Sequence, residues 1–271
     1  MNNITTVRAD LRGTSQIGAI DLATNEHRVL TSGSGEKWSP RWLERGRIAY
    51  VGGGPDGGVE FIGGKAGARG EFRCADWSAD GHRMVFHREV AHDWPPVQPW
   101  PSRHPEFRLQ RAGVFPAYSP SGDRLLSNDQ RSAAASKNIL IMNCDGSRRS
   151  VFFSHAEKSA LGPVWSADGS QVAFTLGQVF QSMRGPAIAD IAVVDRDGGG
   201  LKLLTDGKGN FGFPSWSPDG REIVYRSSTK DSMGLFIVTV ASGEVRPLTS
   251  GSSHDNFPAW SPKGDRIAFT G

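Results

Sequence analysis

The sequence predicts an all-β fold made of one repeated unit, and three observations carry that prediction. The 271 residues include 34 Gly and 16 Pro, a turn-rich composition suited to many short strands. No stretch shows the 3.6-residue apolar period of a packed helix. A short aromatic phrase recurs six times: Trp38-Ser39-Pro40, Trp77-Ser78-Ala79-Asp80-Gly81, Tyr118-Ser119-Pro120-Ser121-Gly122, Trp165-Ser166-Ala167-Asp168-Gly169, Trp216-Ser217-Pro218-Asp219-Gly220 and Trp260-Ser261-Pro262-Lys263-Gly264. The spacings are 39, 41, 47, 51 and 44 residues.

The phrase reads as a tight turn. Pro presets φ for its first corner, Asp bonds its own backbone, and Gly takes the left-handed position. An apolar strand follows each time, such as Ile48-Ala49-Tyr50, Met84-Val85-Phe86, Val172-Ala173-Phe174 and Ile267-Ala268-Phe269. Aromatic strand end, turn and apolar strand make a hairpin. A second hairpin completes the unit. Ile191-Ala192-Val193-Val194 runs to Asp197-Gly198 and then Leu203-Leu204-Thr205, and Leu235-Phe236-Ile237-Val238 runs to Ser242-Gly243 and then Pro247-Leu248-Thr249. Four-stranded units of this length are the blades of a β-propeller, with the phrase aromatics packed between blades. The expectation is a six-bladed β-propeller of four-stranded antiparallel blades, with residues 1–271 as a single domain.

Within this pattern, Trp216-Ser217-Pro218-Asp219-Gly220 followed by Arg221-Glu222-Ile223-Val224-Tyr225, and later by Pro247-Leu248-Thr249-Ser250-Gly251, resembles the TolB-like β-propeller family. That family belongs to the WD-repeat-like group named for its Pro-Asp dipeptide. The units at 165, 216 and 260 match it well, while the one at 38 has Arg41-Trp42 where Asp-Gly belongs. The resemblance implies a periplasmic interaction role, with the central channel receiving peptide segments of colicins or lipoprotein partners. The α/β N-terminal domain and export signal of that family are not in this sequence. Related propellers include carbohydrate lyases and dehydratases that use His and a divalent metal in the channel, and others that cap a serine peptidase domain.

The ends are read as halves of one blade. Ile17 to Gly33 carries the two finishing strands and Trp260 to Gly271 the two starting ones, which removes free sheet edges. Residues 4–8 and 267–270 then compete for one position, so either one is displaced or the chain continues past Gly271. A Pro- and Trp-rich insertion from His87 to Phe107 is expected to be a long ordered loop, with His87, His92, Trp94, Trp100 and His104 as contact residues.

Charge and composition exclude several classes. The net charge of +3 comes without a basic run, which excludes a nucleic-acid footprint. Two cysteines, Cys74 and Cys144, read as free thiols. Neither a membrane-length apolar run nor a signal peptide is visible. The expected location is therefore cytoplasmic as written, or periplasmic if a leader has been removed. Ring closure leaves no long edge to pair, so a monomer is expected.

Standard catalytic signatures are missing: there is no Gly-x-Ser-x-Gly, no His-Glu-x-x-His and no phosphate loop. Gly52 to Gly57 spells Gly-x-Gly-x-x-Gly but contains Pro55 and no following helix. Asp195-Arg196-Asp197-Gly198 lacks the acidic twelfth ligand of a calcium loop. No cofactor is implied, although the insertion histidines beside Glu89, Asp93 and Glu106 form a ligand set that a divalent metal would accept. The channel mouth is the expected site. Glu36, Arg73, Arg111, Lys158, Asn210, His254, Asp255 and Asn256, which precede the blade-opening strands, are its expected lining. The reading is a scaffold propeller that binds a protein, a peptide or a small polar ligand there. The alternatives are a carbohydrate lyase or dehydratase with a His and metal site, or the propeller part of a larger hydrolase.

Overall fold

The computed structural model describes residues 15–53, 58–64, 67, 73–78, 83–87, 96–101, 111–112, 114–129, 138–177, 188–228, 233–250 and 255–271. Among them the regular structure is strand, apart from a 3-10 turn at Glu44–Gly46. The strands are β1 (Ile17–Asp21), β2 (His27–Val29), β3 (Lys37–Trp42), β4 (Ile48–Gly52) and β5 (Gly58–Phe61), then β6 (Arg73–Trp77), β7 (Arg83–His87), β8 (Pro96–Pro101) and β9 (Arg111–Ala112). Next come β10 (Val114–Tyr118), β11 (Arg124–Asn128), β12 (Ile139–Asn143), β13 (Ser150–Phe153), β14 (Ser159–Trp165), β15 (Gln171–Gly177), β16 (Ala189–Asp195) and β17 (Lys202–Leu203). The last six are β18 (Asn210–Trp216), β19 (Glu222–Ser228), β20 (Met233–Thr239), β21 (Val245–Pro247), β22 (Asn256–Trp260) and β23 (Arg266–Thr270).

The chain divides into two compact units, one of residues 1–71 and 213–271, the other of residues 72–212. In the first unit β22, β23, β1 and β2 form one sheet, so strands from both ends of the sequence lie side by side. Ile17–Asp21 pairs antiparallel with Arg266–Thr270 over its whole length. β3, β4 and β5 form a three-stranded sheet, and β19, β20 and β21 pair in sequence. The core of this unit gathers Ile20, Val224, Leu235, Ile237, Trp260 and Ile267. In the second unit β6–β9 and β10–β13 are meanders, and β14, β15, β16 and β17 pair in turn. Its largest core cluster includes Leu126, Ile139, Phe153, Phe174 and Leu176, with the Phe153 and Phe174 rings 4.7 Å apart.

The repeated phrase forms its turn through one serine. In Ser119, Ser166, Ser217 and Ser261 the hydroxyl accepts from the backbone N–H five residues on, at 2.9–3.0 Å, and donates to an aspartate of the same turn. The glycine N–H closes back on the serine carbonyl, as Gly169 does on Ser166 and Gly220 on Ser217. The Leu-Thr pairs have an equally specific role. The N–H of Leu30, Leu204 and Leu248 donates to the carbonyl of Ile17, Ile191 and Leu235. The following Thr31, Thr205 and Thr249 hydroxyls accept from the N–H of those same three residues. Each Leu-Thr thus clips the end of its blade.

Two expectations need correction. In the first unit the repeat aromatic is Trp42, not Trp38. Trp42 lies opposite Ile48 as Trp260 lies opposite Ile267 and Trp165 opposite Val172. The register follows Pro-x-aromatic, which aligns Pro40 with Pro116, Pro163, Pro214 and Pro258, and the 3-10 turn replaces Asp-Gly. The insertion is not one loop, because Pro96–Pro101 is the third strand of its sheet, pairing with β7. Among the described residues β9 pairs with Pro96 and Val97 of that strand alone. Arg111, expected to precede a blade-opening strand, sits on β9 opposite Val97, just before β10. The expected strand at 4–8 lies outside the described residues, and β23 takes the contested position.

Candidate functional site

Every strand that carries a repeat aromatic holds one residue with a left-handed φ, and in five of them the ladder slips at it. The ladder slips between Trp38 and Arg41, Arg73 and Asp76, Val114 and Ala117, Leu161 and Val164, and Asn256 and Ala259. The residue at each slip has a left-handed φ: Ser39 (52°), Cys74 (47°), Phe115 (51°), Gly162 (62°) and Phe257 (48°), joined by Phe213 (56°) on β18. Five of these six carry a side chain, each at a cost of about 1–2 kcal/mol. β-Bulges of this kind re-aim a side chain, and backbone strain held at equivalent positions is a pointer to function.

In the first unit the re-aimed side chains meet. The Phe213 and Phe257 ring centroids are 4.1 Å apart at a 48° tilt. The Arg226 guanidinium carbon lies 5.3 Å from the centre of the Phe213 ring. Arg226 is buried, and that burial pulls its pKa down to about 10. Asp255, 1% exposed, immediately precedes the strand that holds Phe257. The neighbouring Asn256 places its Oδ1 in the interior with no hydrogen-bond partner among the described residues. A buried acceptor left open is uncommon and calls for an explanation. Glu36 is exposed, and its carbonyl accepts from the Gly53 N–H at 2.8 Å. His254 lies outside the described residues.

In the second unit the polar residues are engaged with one another. Lys158 Nζ stands 3.6 Å from Oδ2 of Asp190, which is itself 2% exposed. Asp190 also accepts from the Thr205 hydroxyl and the Gly207 N–H, both at 2.8 Å. Asn210 opens β18 and makes a parallel bridge with Ala189. Arg73 begins β6. Asn128, which carried no sequence signal, ties β11 to β14 by donating to the Ala160 carbonyl and accepting from the Gly162 N–H. His155 Nδ1 accepts from the N–H groups of Glu157 and Lys158, so it caps a turn.

Of the insertion residues, His87 ends β7 and Trp100 lies on β8 opposite Met84, while His92, Trp94 and His104 are outside the described residues. Among the described residues no three His, Cys, Asp or Glu side chains converge as a metal site. Neither Cys74 nor Cys144 is in a disulfide. The first unit therefore brings together two stacked rings, a buried cation and an Asn256 oxygen with no donor among the described residues. Sequence reasoning found Asp255 and Asn256 but missed Phe213, Phe257 and Arg226. The available signal was an aromatic directly before the proline of Pro-x-aromatic.

The model of the TolB beta propeller domain family matches residues 127–271, more than half of the chain. The chain belongs to the TolB beta propeller domain family. A TolB-type protein from Agrobacterium tumefaciens has a similar structure, with a TM-score of 0.75 at 21% identity, covering 95% of this chain and 97% of that one. An oligogalacturonate lyase solved in complex with manganese has a TM-score of 0.64 at 14% identity, over 96% of this chain and 83% of that one. At these identities the likeness is one of fold. Among curated proteins, the uncharacterized peptidase YuxL of Bacillus subtilis is 32% identical over 113 residues, or 40% of this chain. The match spans only 16% of YuxL. Among the described residues of this TolB-like propeller, no helix is long and apolar enough to cross a membrane.

Proposed function

We propose that this TolB-like propeller is a protein-binding module that receives a peptide segment at the Phe213–Phe257 lip. In this reading the six repeats are six blades, the last completed by strands from both ends of the sequence. The observation that carries the binding role is the pair of strained phenylalanines beside an open Asn256 acceptor. Backbone strain is held at both half-buried rings, which meet at 4.1 Å, and Asn256 Oδ1 beside them has no donor among the described residues. Arg226, buried against the Phe213 ring, supports that ring from behind. No step in this function breaks a bond.

The test is to pan a random peptide library on the chain and measure the enriched peptides by fluorescence polarisation. Binding should weaken at least tenfold in Phe257→Ala and stay unchanged in Lys263→Glu, an exposed turn variant. Failure to enrich any peptide, or equal binding by Phe257→Ala, would overturn the reading.

A second reading has one observation behind it, the 32% identity to part of YuxL. In that reading the propeller is the non-catalytic part of a larger peptidase and the lip meets substrate peptides. A parent reading frame without a peptidase domain would dismiss it.

A further inference from the structure

We propose a second recognition site, on the flank of the first unit, that takes an acidic residue next to an apolar one in a partner protein. It rests on different residues from the Phe213–Phe257 lip and stands or falls independently of it. A groove of about 350 Å³ runs between one face of the terminal sheet and the β3–β5 sheet. Its apolar walls include Leu30, Trp42 and Ile62. The Trp42 indole N–H donates to the Ala259 carbonyl at 3.0 Å, which fixes that wall in place before any ligand arrives.

Three guanidiniums rim the groove and two carboxylates oppose them. Arg28 holds both carboxylate oxygens of Glu26 at 2.9 Å, and Arg266 lies 3.9 Å from Asp21. Arg266 also lies 4.0 Å from Asp265, so both of these guanidiniums are engaged by carboxylates. Arg47 is the remaining one. It is exposed, its guanidinium carbon sits 5.9 Å from the centre of the Phe61 ring, and among the described residues no carboxylate pairs with it. A planar guanidinium fork with nothing to hold matches a carboxylate bidentately.

The complement of this surface is a carboxylate joined to an apolar side chain. The groove is at the small end for ligand sites, so one such pair of neighbouring residues fills it. Nucleic acid is the wrong occupant, because Asp21 and Glu26 would face its phosphates. A peptide carries both groups on adjacent residues and adds backbone polar groups for the exposed Arg28 and Glu26.

The experiment titrates the whole ¹⁵N-labelled chain with a capped Gly-Phe-Glu-Gly peptide and follows the Trp42 indole N–H, assigned by its loss in Trp42→Phe. A saturable shift is expected. Arg47→Glu, at an exposed loop side chain, should weaken binding at least tenfold, and a peptide with Lys in place of Glu should recover affinity for that variant. Native-like spectra of Arg47→Glu establish that it is folded. No saturable shift, or equal affinity in Arg47→Glu, overturns the proposal. So does phenylpropionate binding as tightly as the peptide, which would make the groove a small-anion site. Because the readout is Trp42, failure here is distinguishable from failure at Phe257.

Discussion

Ser39 and Gly162 occupy equivalent bulge positions, and exchanging their chemistry gives opposite, calculable effects. Ser39 holds a φ of 52°. It is 4% exposed, and its hydroxyl has no hydrogen-bond partner among the described residues. Ser39→Gly relieves about 1–2 kcal/mol of left-handed strain and removes an unsatisfied hydroxyl costing about 1–3 kcal/mol. Against these stands about 0.5–1 kcal/mol of extra unfolded-state entropy, together with some lost packing. The net is a stabilisation of about 1–2 kcal/mol, or roughly 2–6 °C in Tm for a domain of this size. Gly162 has a φ of 62° and open space where a Cβ would sit, so Gly162→Ala costs backbone energy alone, about 1 kcal/mol. Urea unfolding followed by tryptophan fluorescence measures both, with an unchanged m-value expected. A destabilised Ser39→Gly, or a Gly162→Ala as stable as the native chain, would refute the assignment of strain to these bulges.

Three further outcomes follow from the turns and the thiols. Ser217→Ala leaves the Glu222 N–H without its acceptor and should cost about 1–3 kcal/mol, while the exposed turn variant Ser242→Ala stays within about 0.5 kcal/mol by the same urea assay. Asp168 is held at about pKa 2, first by the Ser166 hydroxyl and then by Ser170. Its folded value lies below the ordinary 3.8, so its contribution is present above that value and lost as pH falls toward 2. Unfolding midpoints near the two ends of this window should converge more in Ser166→Ala than in the native chain. Burial pushes the Cys144 thiol from 9.0 to about 11, so its thiolate is about a hundredfold scarcer than in the unfolded chain. Iodoacetamide at mildly alkaline pH, read by mass spectrometry, should label Cys144 appreciably only after denaturant is added.

Much of the fold was legible because the repeat encodes its own hydrogen bonds. Ser217, Asp219 and Gly220 stand at fixed offsets because one hydroxyl, one carboxylate and one left-handed residue close the turn. The Leu-Thr clips and the pairing of the two terminal halves follow from the same regularity. Sequence reasoning slipped where one feature imitated another. Trp38-Ser39-Pro40 has the letters of the phrase, but the register belongs to Pro40 and Trp42. Three prolines hid strand β8, which nevertheless pairs with β7 from Val97 to Pro101. The candidate lip was only half visible. Asp255 and Asn256 are polar residues in a suggestive place, whereas Phe213 and Phe257 have only the proline that follows each of them to single them out. Their left-handed φ and the 4.1 Å approach of their rings appear only in three dimensions. The Arg47 groove depends on which charges cancel in space, and spacing along the chain carries no record of that.

The most direct test of the recognition role is a single NMR titration of the native chain with a peptide enriched by panning. The account predicts saturable shifts at the amides of Asn256 and Phe257 and at the Phe213 ring, all fitting one dissociation constant. Shifts confined to other parts of the chain, with these three groups unmoved at saturation, would contradict it.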